Sequence, residues 1–324
     1  AFMLRYAGDR FDRAEWRDAG EVLAAEVYRL YQQDETFPEY NSPTYYGVNL
    51  GALALWRSYS ASEAIRRMGE EMEAGLWRDI ARFYHAGMRN LCGPYDRSYG
   101  MDMRRYAAIT GLWIWGAVGE ERAPFPNWRQ DFEHTNDFCF APTVALLGVR
   151  VPPDVMPHLM EFQGSRQVER VIVSSPRRVA TAHITERLMI GAEDANGTKR
   201  PSYQYHPATA HWLAPDGEVG WIRLIHQIPV DARVDGNKLE VWTSDSVAMT
   251  ATVGADEEQP EVVFQLSRHT TIAPEEWILP GLSVRIQTNA RAEVIPGSAG
   301  TEMEVRYRCP PGEVARFVLW LRGT

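Results

Sequence analysis

Lysine is nearly missing from this chain: of 34 basic residues only Lys199 and Lys238 are lysines, and the rest are arginines. The formal net charge is -9, so the positive excess with which nucleic-acid binders track phosphates is lacking, and nucleic acid is set aside as a partner. Cysteine is sparse as well. Cys92, Cys139 and Cys309 are odd in number and far apart, which gives neither a disulfide framework nor the paired spacing of a zinc site. No apolar run reaches the length of a membrane span, since the longest, AAITGLWIWGAVG, is too short and is followed by charge; no membrane partner is expected. A Gly-x-Ser-x-Gly elbow, a phosphate loop and a dinucleotide fingerprint are all absent, which removes support for serine hydrolases, NTPases and dehydrogenases. His134 and Asp137 stand three apart and His206 and His211 five apart, but without an HExxH these spacings are weak, and no metal or other cofactor is expected.

What is present divides the chain in two. Its 324 residues exceed one usual core, and two domains are the default. From Asp12 to about Met160 the apolar spacing is helical. RAEWRDAGEVLAAEVYRLYQQ puts Trp16, Ala19, Leu23, Val27 and Leu30 on one stripe, predicting a long amphipathic helix with that stripe turned to the core. NLGALALWRSYS is apolar nearly all round, as a buried inner helix would be. SEAIRRMGEEMEAGLWRDIARFYH begins at a cap, Ser62, and carries Ile65, Met68, Met72, Leu76, Ile80 and Phe83 on one face. DMRRYAAITGLWIWGAVG, FAPTVALLG and PDVMPHLMEF predict three further helices, and the alternation of amphipathic with apolar helices suggests two concentric layers. After Arg166 the period falls to two. Roughly eight to ten short β-rich runs, VAMTATVG among them, are cut by Gly, Pro, Asn and Asp, and the Asp-Gly-Asn of DARVDGNKLEVW marks a tight hairpin. Local connections of this kind argue for an antiparallel sandwich. The chain opens on Ala1 without a signal peptide, which leaves the compartment open, a secreted or periplasmic location being favoured over a cytoplasmic one.

Four stretches gather polar rings, amides and charges at loops or element ends, where function concentrates. They are EYNSPTYYG; HAGMRNLCGPYDRSYGMDMRRY; FEHTNDFCFAP; and RPSYQYHPATAHW. The first reads blandly as a helix entry, with Asn41 or Ser42 as cap and Pro43 in the first turn. Tyr45 and Tyr46 point about 100° apart on a helix, so only one of them can face a cleft squarely. Arg97 has a structural alternative as ion-pair partner of Asp96 or Asp102, His134 as a solvated loop residue, and His211 as a packed strand residue beside Trp212. Taken together, neutral amide, phenols, guanidinium and imidazole suit proton abstraction beside a carboxylate followed by loss of a leaving group. A donor must hold the carboxylate while charge accumulates there, and Tyr or His must move the proton.

The helical first half, the antiparallel second half and the segments YNSPTYYG and PYDRSYG resemble the polysaccharide lyases of the heparinase, chondroitin AC and alginate lyase type. The resemblance implies an α+β chain with an incomplete α/α toroid over 1–165 and an antiparallel β-sandwich over 166–324, binding an acidic saccharide in a cleft between them. It further implies that Asn41 neutralises a uronate carboxylate, that Tyr45 or Tyr99 is base or acid with Arg97 assisting, and that His134 or His206 is the family's histidine. Tyr46, Tyr95, Arg200 and His211 join Arg97 as candidates for holding substrate. Two features depart from the family: Asn41 is followed by Ser42 rather than by histidine, and the six or seven helices are fewer than a complete toroid needs. Two other readings stay open. A glycoside hydrolase would use a pair among Glu39, Asp102, Glu133 and Asp137, and a carbohydrate-binding protein would use the same cleft without chemistry.

Overall fold

Why the chain changes period midway is visible in a computed structural model, which describes residues 1–226, 228–245, 260–295 and 302–324. The expected strand VAMTATVG lies outside the described residues. The chain forms two units, one of Ala1–Leu91 with Met103–Phe162 and one of Cys92–Asp102 with Gln163–Thr324.

The first unit is built on two helical hairpins. Helices α1 (Phe2–Arg10) and α2 (Ala14–Asp34) form one, and α3 (Tyr45–Tyr59) and α4 (Glu63–Phe83) the other. The apolar α3 receives α5 (Ile109–Val118) and α6 (Ala141–Leu147), while α7 (Met156–Met160) packs on α5 and on a small hairpin of β1 (Tyr84–His85) and β2 (Asn90–Leu91). The Ser62 hydroxyl accepts from the Ile65 N–H at 3.3 Å, so α4 starts where its capping residue predicts. At α3 the Ser42 hydroxyl accepts from the Tyr45 N–H at 3.0 Å, whereas Asn41 sits one step earlier in the left-handed region at φ 51°.

These helices do not make an α/α toroid. After α4 they shorten to 10, 7 and 5 residues and are separated by irregular segments, so no ring of paired inner and outer helices forms. The expected orientation of α2 is also overturned. Trp16, Ala19, Leu23, Val27 and Leu30 are all exposed, and the side turned inward is Gly20, Ala24 and Tyr31. Small residues win here because they allow backbones to approach: a Cβ on Gly20 would strike Arg5 of α1, and Tyr31 lies over Gly75 of α4.

The second unit is antiparallel throughout. Its larger sheet has the strands β3 (Arg166–Val173), β4 (Arg178–Ile184), β5 (Leu188–Asp194), β6 (Ala208–Leu213), β7 (Val219–His226), β10 (Glu261–Leu266), β14 (Arg291–Ile295) and β15 (Met303–Arg308), in the order β14-β15-β10-β7-β6-β5-β4-β3. The smaller has β8 (Val230–Asp235), β9 (Lys238–Thr243), β11 (Thr271–Ala273), β12 (Glu276–Leu279), β13 (Leu282–Thr288) and β16 (Arg316–Gly323), in the order β11-β12-β13-β16-β9-β8. Alternate residues of both sheets enter one core, among them Ile190, Ala210, Leu224, Phe264, Val241, Val284 and Leu319. Its centre is an aromatic cluster in which Phe264 meets Trp277, Tyr307 and Phe317 edge-on at 5.4 to 6.1 Å. The Asp-Gly-Asn signal is the β8–β9 turn: Asp235 pairs with Lys238, and Gly236 takes φ 56° as a two-residue hairpin loop requires.

Close approach of α3 to the start of α5 is the constraint that positions the helical unit. A Cβ on Gly47 would run into the backbone of Ile109 and Thr110. Gly47→Ala is therefore expected to cost about 1–3 kcal/mol through overpacking, despite alanine's better helix propensity. Urea unfolding of the variant should show a lower midpoint; an unchanged or raised midpoint would mean that the contact yields freely.

Candidate functional site

The outer face of the larger sheet carries the polar residues that its strand period places there. Directly opposed residues share a face, and the register pairs Ala180 with Glu193, Ala182 with Gly191, Gly191 with Thr209 and Met189 with His211. Arg178, Glu193, Thr209 and His211 therefore stand on one side of the sheet, away from the core shared with the smaller sheet. All but Arg178 are buried.

A strap, Cys92–Asp102, lies across them. Tyr95 and His206 exchange both backbone hydrogen bonds at 3.1 and 2.9 Å, Ser98 N–H donates to the Gln204 carbonyl at 2.9 Å, and Nε2 of His211 donates to the Met101 carbonyl at 2.8 Å. Glycine allows this proximity, since a Cβ on Gly191 would strike the carbonyl of Gly93, and one on Gly93 would strike Thr209. The Tyr95 ring meets the His211 ring edge-on at 6.3 Å. Nε of Arg97 donates to Oε1 of Gln204 at 2.5 Å.

The strap is also held by charge. Arg178 contacts Asp96 at 2.6 Å and Glu193 at 2.5 Å, and Lys199 reaches Asp96 at 2.9 Å and lies 5.2 Å from the centre of the Tyr205 ring. Burial works against the Asp96 carboxylate, yet Arg178 and Lys199 outweigh it and hold its pKa below the ordinary value. Burial pushes Glu193 up to about 8, with the Asp96 charge adding to it and Arg178 opposing. Burial also lowers His211 to about 4, which keeps its imidazole neutral. Three atoms on this face, Oε2 of Glu193, Oγ1 of Thr209 and Nδ1 of His211, are buried with no hydrogen-bond partner among the described residues.

The residues singled out from the sequence fall into two groups by unit and, independently, by exposure. Asn41, Tyr45, Tyr46 and His134 belong to the helical unit; Tyr95, Arg97, Tyr99, Arg200, His206 and His211 belong to the sheet unit. Asn41, Tyr46, Tyr95, His206 and His211 are buried, whereas Tyr45, Arg97 and Tyr99 are half-buried and His134 and Arg200 exposed. Of the adjacent tyrosines, Tyr46 turns inward and packs edge-on to Tyr40 at 6.1 Å. His134 precedes a short 3-10 helix, Thr135–Phe140, with φ 54° and its ring 6.1 Å from Tyr106.

Sequence reasoning missed Arg178, Glu193 and Lys199, while Tyr205 stood among the polar residues of RPSYQYHPATAHW; Asp96, offered together with Asp102 as a partner for Arg97, is contacted by Arg178 and Lys199. The one local signal was an acid in the otherwise apolar run LMIGAE of β5. Among the described residues no three of His, Cys, Asp and Glu gather as a metal ion would require, and no helix is long and apolar enough to cross a membrane.

Residues 1–149 match the model of a domain of unknown function (DUF8769), and residues 165–305 match that of another domain of unknown function (DUF8770). Comparison with curated proteins and with solved structures gave no match.

The raised Glu193 sets a pH dependence. A carboxyl with a higher pKa folded than unfolded retains a proton that the unfolded chain releases near 4.5, so its contribution is full below that pH and is lost as pH rises towards 8. The depressed His211 acts oppositely, its contribution being full above 6.5 and lost as pH falls towards 4. Unfolding free energies of the wild type and Glu193→Gln, measured between pH 5 and 8, should diverge, the wild type losing stability with rising pH more steeply. Parallel curves would remove Glu193 as the proton carrier.

Proposed function

We propose that this protein is a carbohydrate-active lyase that cleaves a uronate-containing saccharide by β-elimination. The observation that supports this reading is the strap itself. Its backbone is fixed to the connection between β5 and β6 at Tyr95 and Ser98 and to β6 at Met101, and it presents Arg97 and Tyr99 at half-buried positions two residues apart. A side chain on a fixed backbone loses little freedom when substrate arrives, which is what a reactive group needs.

In the reaction the proton on the carbon beside the uronate carboxylate is removed, the bond from the next ring carbon to the glycosidic oxygen breaks, a carbon–carbon double bond forms, and the departing oxygen gains a proton. Arg97 pairs with the carboxylate, where negative charge builds up in the transition state. Tyr99 moves the proton. Tyr95 of the strap, with His206 and His211, is buried, and the three serve as positioning residues. Hydrolysis is less well supported, because a glycosidase sets two carboxylates across the bond, and Asp96 and Glu193 of this cluster both bind Arg178. A polymeric substrate of this kind places the protein outside the cytoplasm, secreted or periplasmic.

The test is a screen of uronate polymers read by ultraviolet absorbance, since elimination leaves an unsaturated, absorbing end and consumes no water. The wild type is expected to give absorbing product, and Tyr99→Phe and Arg97→Ala each to lower kcat/KM by about 100-fold or more. New reducing ends without absorbance would identify a hydrolase instead, and retention of polymer without any product would identify a binding protein. Full activity in Tyr99→Phe would remove the proton-transfer role.

A further inference from the structure

A notch opens on the smaller sheet where the β11–β12 hairpin turns at Pro274 and Glu275 while β13 runs on to Thr288. It forms a cavity of about 580 Å³, in the middle of the range of about 300–1,000 Å³ that small-ligand sites occupy. Register fixes what faces it. Ser283 pairs with Arg322, Arg285 with Trp320 and Glu276 with Arg285, so these five side chains share the outer face of three adjacent strands, and all line the cavity.

Arginines of this unit differ in whether they are paired. Arg233, Arg268, Arg306 and Arg308 each reach a carboxylate. The guanidiniums of Arg285 and Arg322, diagonal neighbours across β13 and β16, make no ion pair among the described residues, and Glu276, opposite Arg285, makes none either. Neither guanidinium is committed to a carboxylate, so both are available to an anionic group that enters the cavity. Trp320 beside them is half-buried and offers an indole face suited to the C–H face of a sugar ring. Glu275, Glu276 and Ser283 add acceptors and a hydroxyl for ring hydroxyl groups.

We propose that this notch is a binding site for an acidic saccharide, with the ring on Trp320, its carboxylate on Arg285 and Arg322, and its hydroxyls on Glu276 and Ser283. It holds the chain without reacting, and it stands independently of the elimination chemistry above, because none of its residues belongs to the strap.

The test uses the full chain in native gels cast with polygalacturonate, alginate or fully methyl-esterified pectin, and titration calorimetry with trigalacturonate. The two acidic polymers should retard the wild type and the esterified one should not. Trp320→Ala and the double variant Arg285→Ala/Arg322→Ala should each weaken binding at least tenfold. Trp320→Phe, which keeps an aromatic ring on the strand, should retain most of it and so separates loss of stacking from loss of folding. Binding is read by retardation and heat and elimination by absorbance, so failure of the elimination and failure of this site are read separately. Absence of retardation by either acidic polymer, or undiminished binding in both the Trp320→Ala and the double-arginine variants, would overturn the proposal.

Discussion

Asp96 of the strap, two cations and a Glu193 carboxyl that burial holds protonated up to about 8 are packed together, and the arrangement of the sheet unit's outer face depends on their balance. Moving an ion out of water costs several kcal/mol even after relaxation, and breaking a buried pair costs about 3–5 kcal/mol because one charge is left alone. Arg178 can remain charged there because Asp96 comes from one segment and Glu193 from another. The strap is thus held by more than its backbone hydrogen bonds: without it, Arg178 would face Glu193 alone and Lys199 would lose its carboxylate. This is a constraint on geometry more than a source of stability, since buried ion pairs seldom exceed a good apolar contact in net effect.

Neighbouring histidine chemistry follows from the same burial. Nε2 of His211 is committed to the Met101 carbonyl, which fixes the tautomer and leaves Nδ1 as the acceptor. The ring stays neutral because nothing nearby compensates fully for desolvation, although Asp102 pulls in the other direction. Exposure divides the polar cluster into half-buried residues, Arg97 and Tyr99, and buried ones, Tyr95, His206 and His211. Composition alone makes no such division, since a tyrosine in a polar run looks the same whether it is covered or not.

Features that depend on neighbours in sequence were legible in it. The Ser62 cap, the Gly236 turn and the onset of period two after Arg166 each arise from contacts a few residues long. Features that depend on what covers a face were not. Periodicity correctly finds an apolar stripe at Trp16, Leu23, Val27 and Leu30, but it cannot say that Gly20 and Ala24 form the closer contact and turn the stripe outward. The toroid failed for the same reason, because alternation of apolar and amphipathic helices constrains burial but not the closure of a ring. PYDRSYG and RPSYQYHPATAH were each recognised as polar clusters, and Tyr95 does meet His206. Their meeting spans more than a hundred residues, and no local pattern encodes it.

The strap has one more consequence, for how such a chain can be inherited. Residues 92–102 lie inside the stretch that matches the first domain of unknown function, yet they complete the unit that contains the second. Recombination at the seam between residues 149 and 165 would hand on a sheet stripped of Asp96 and of the backbone partners of His206 and Gln204. Descendants are bound to keep both domains on one polypeptide, or to evolve a substitute for the eleven residues that cross from one to the other.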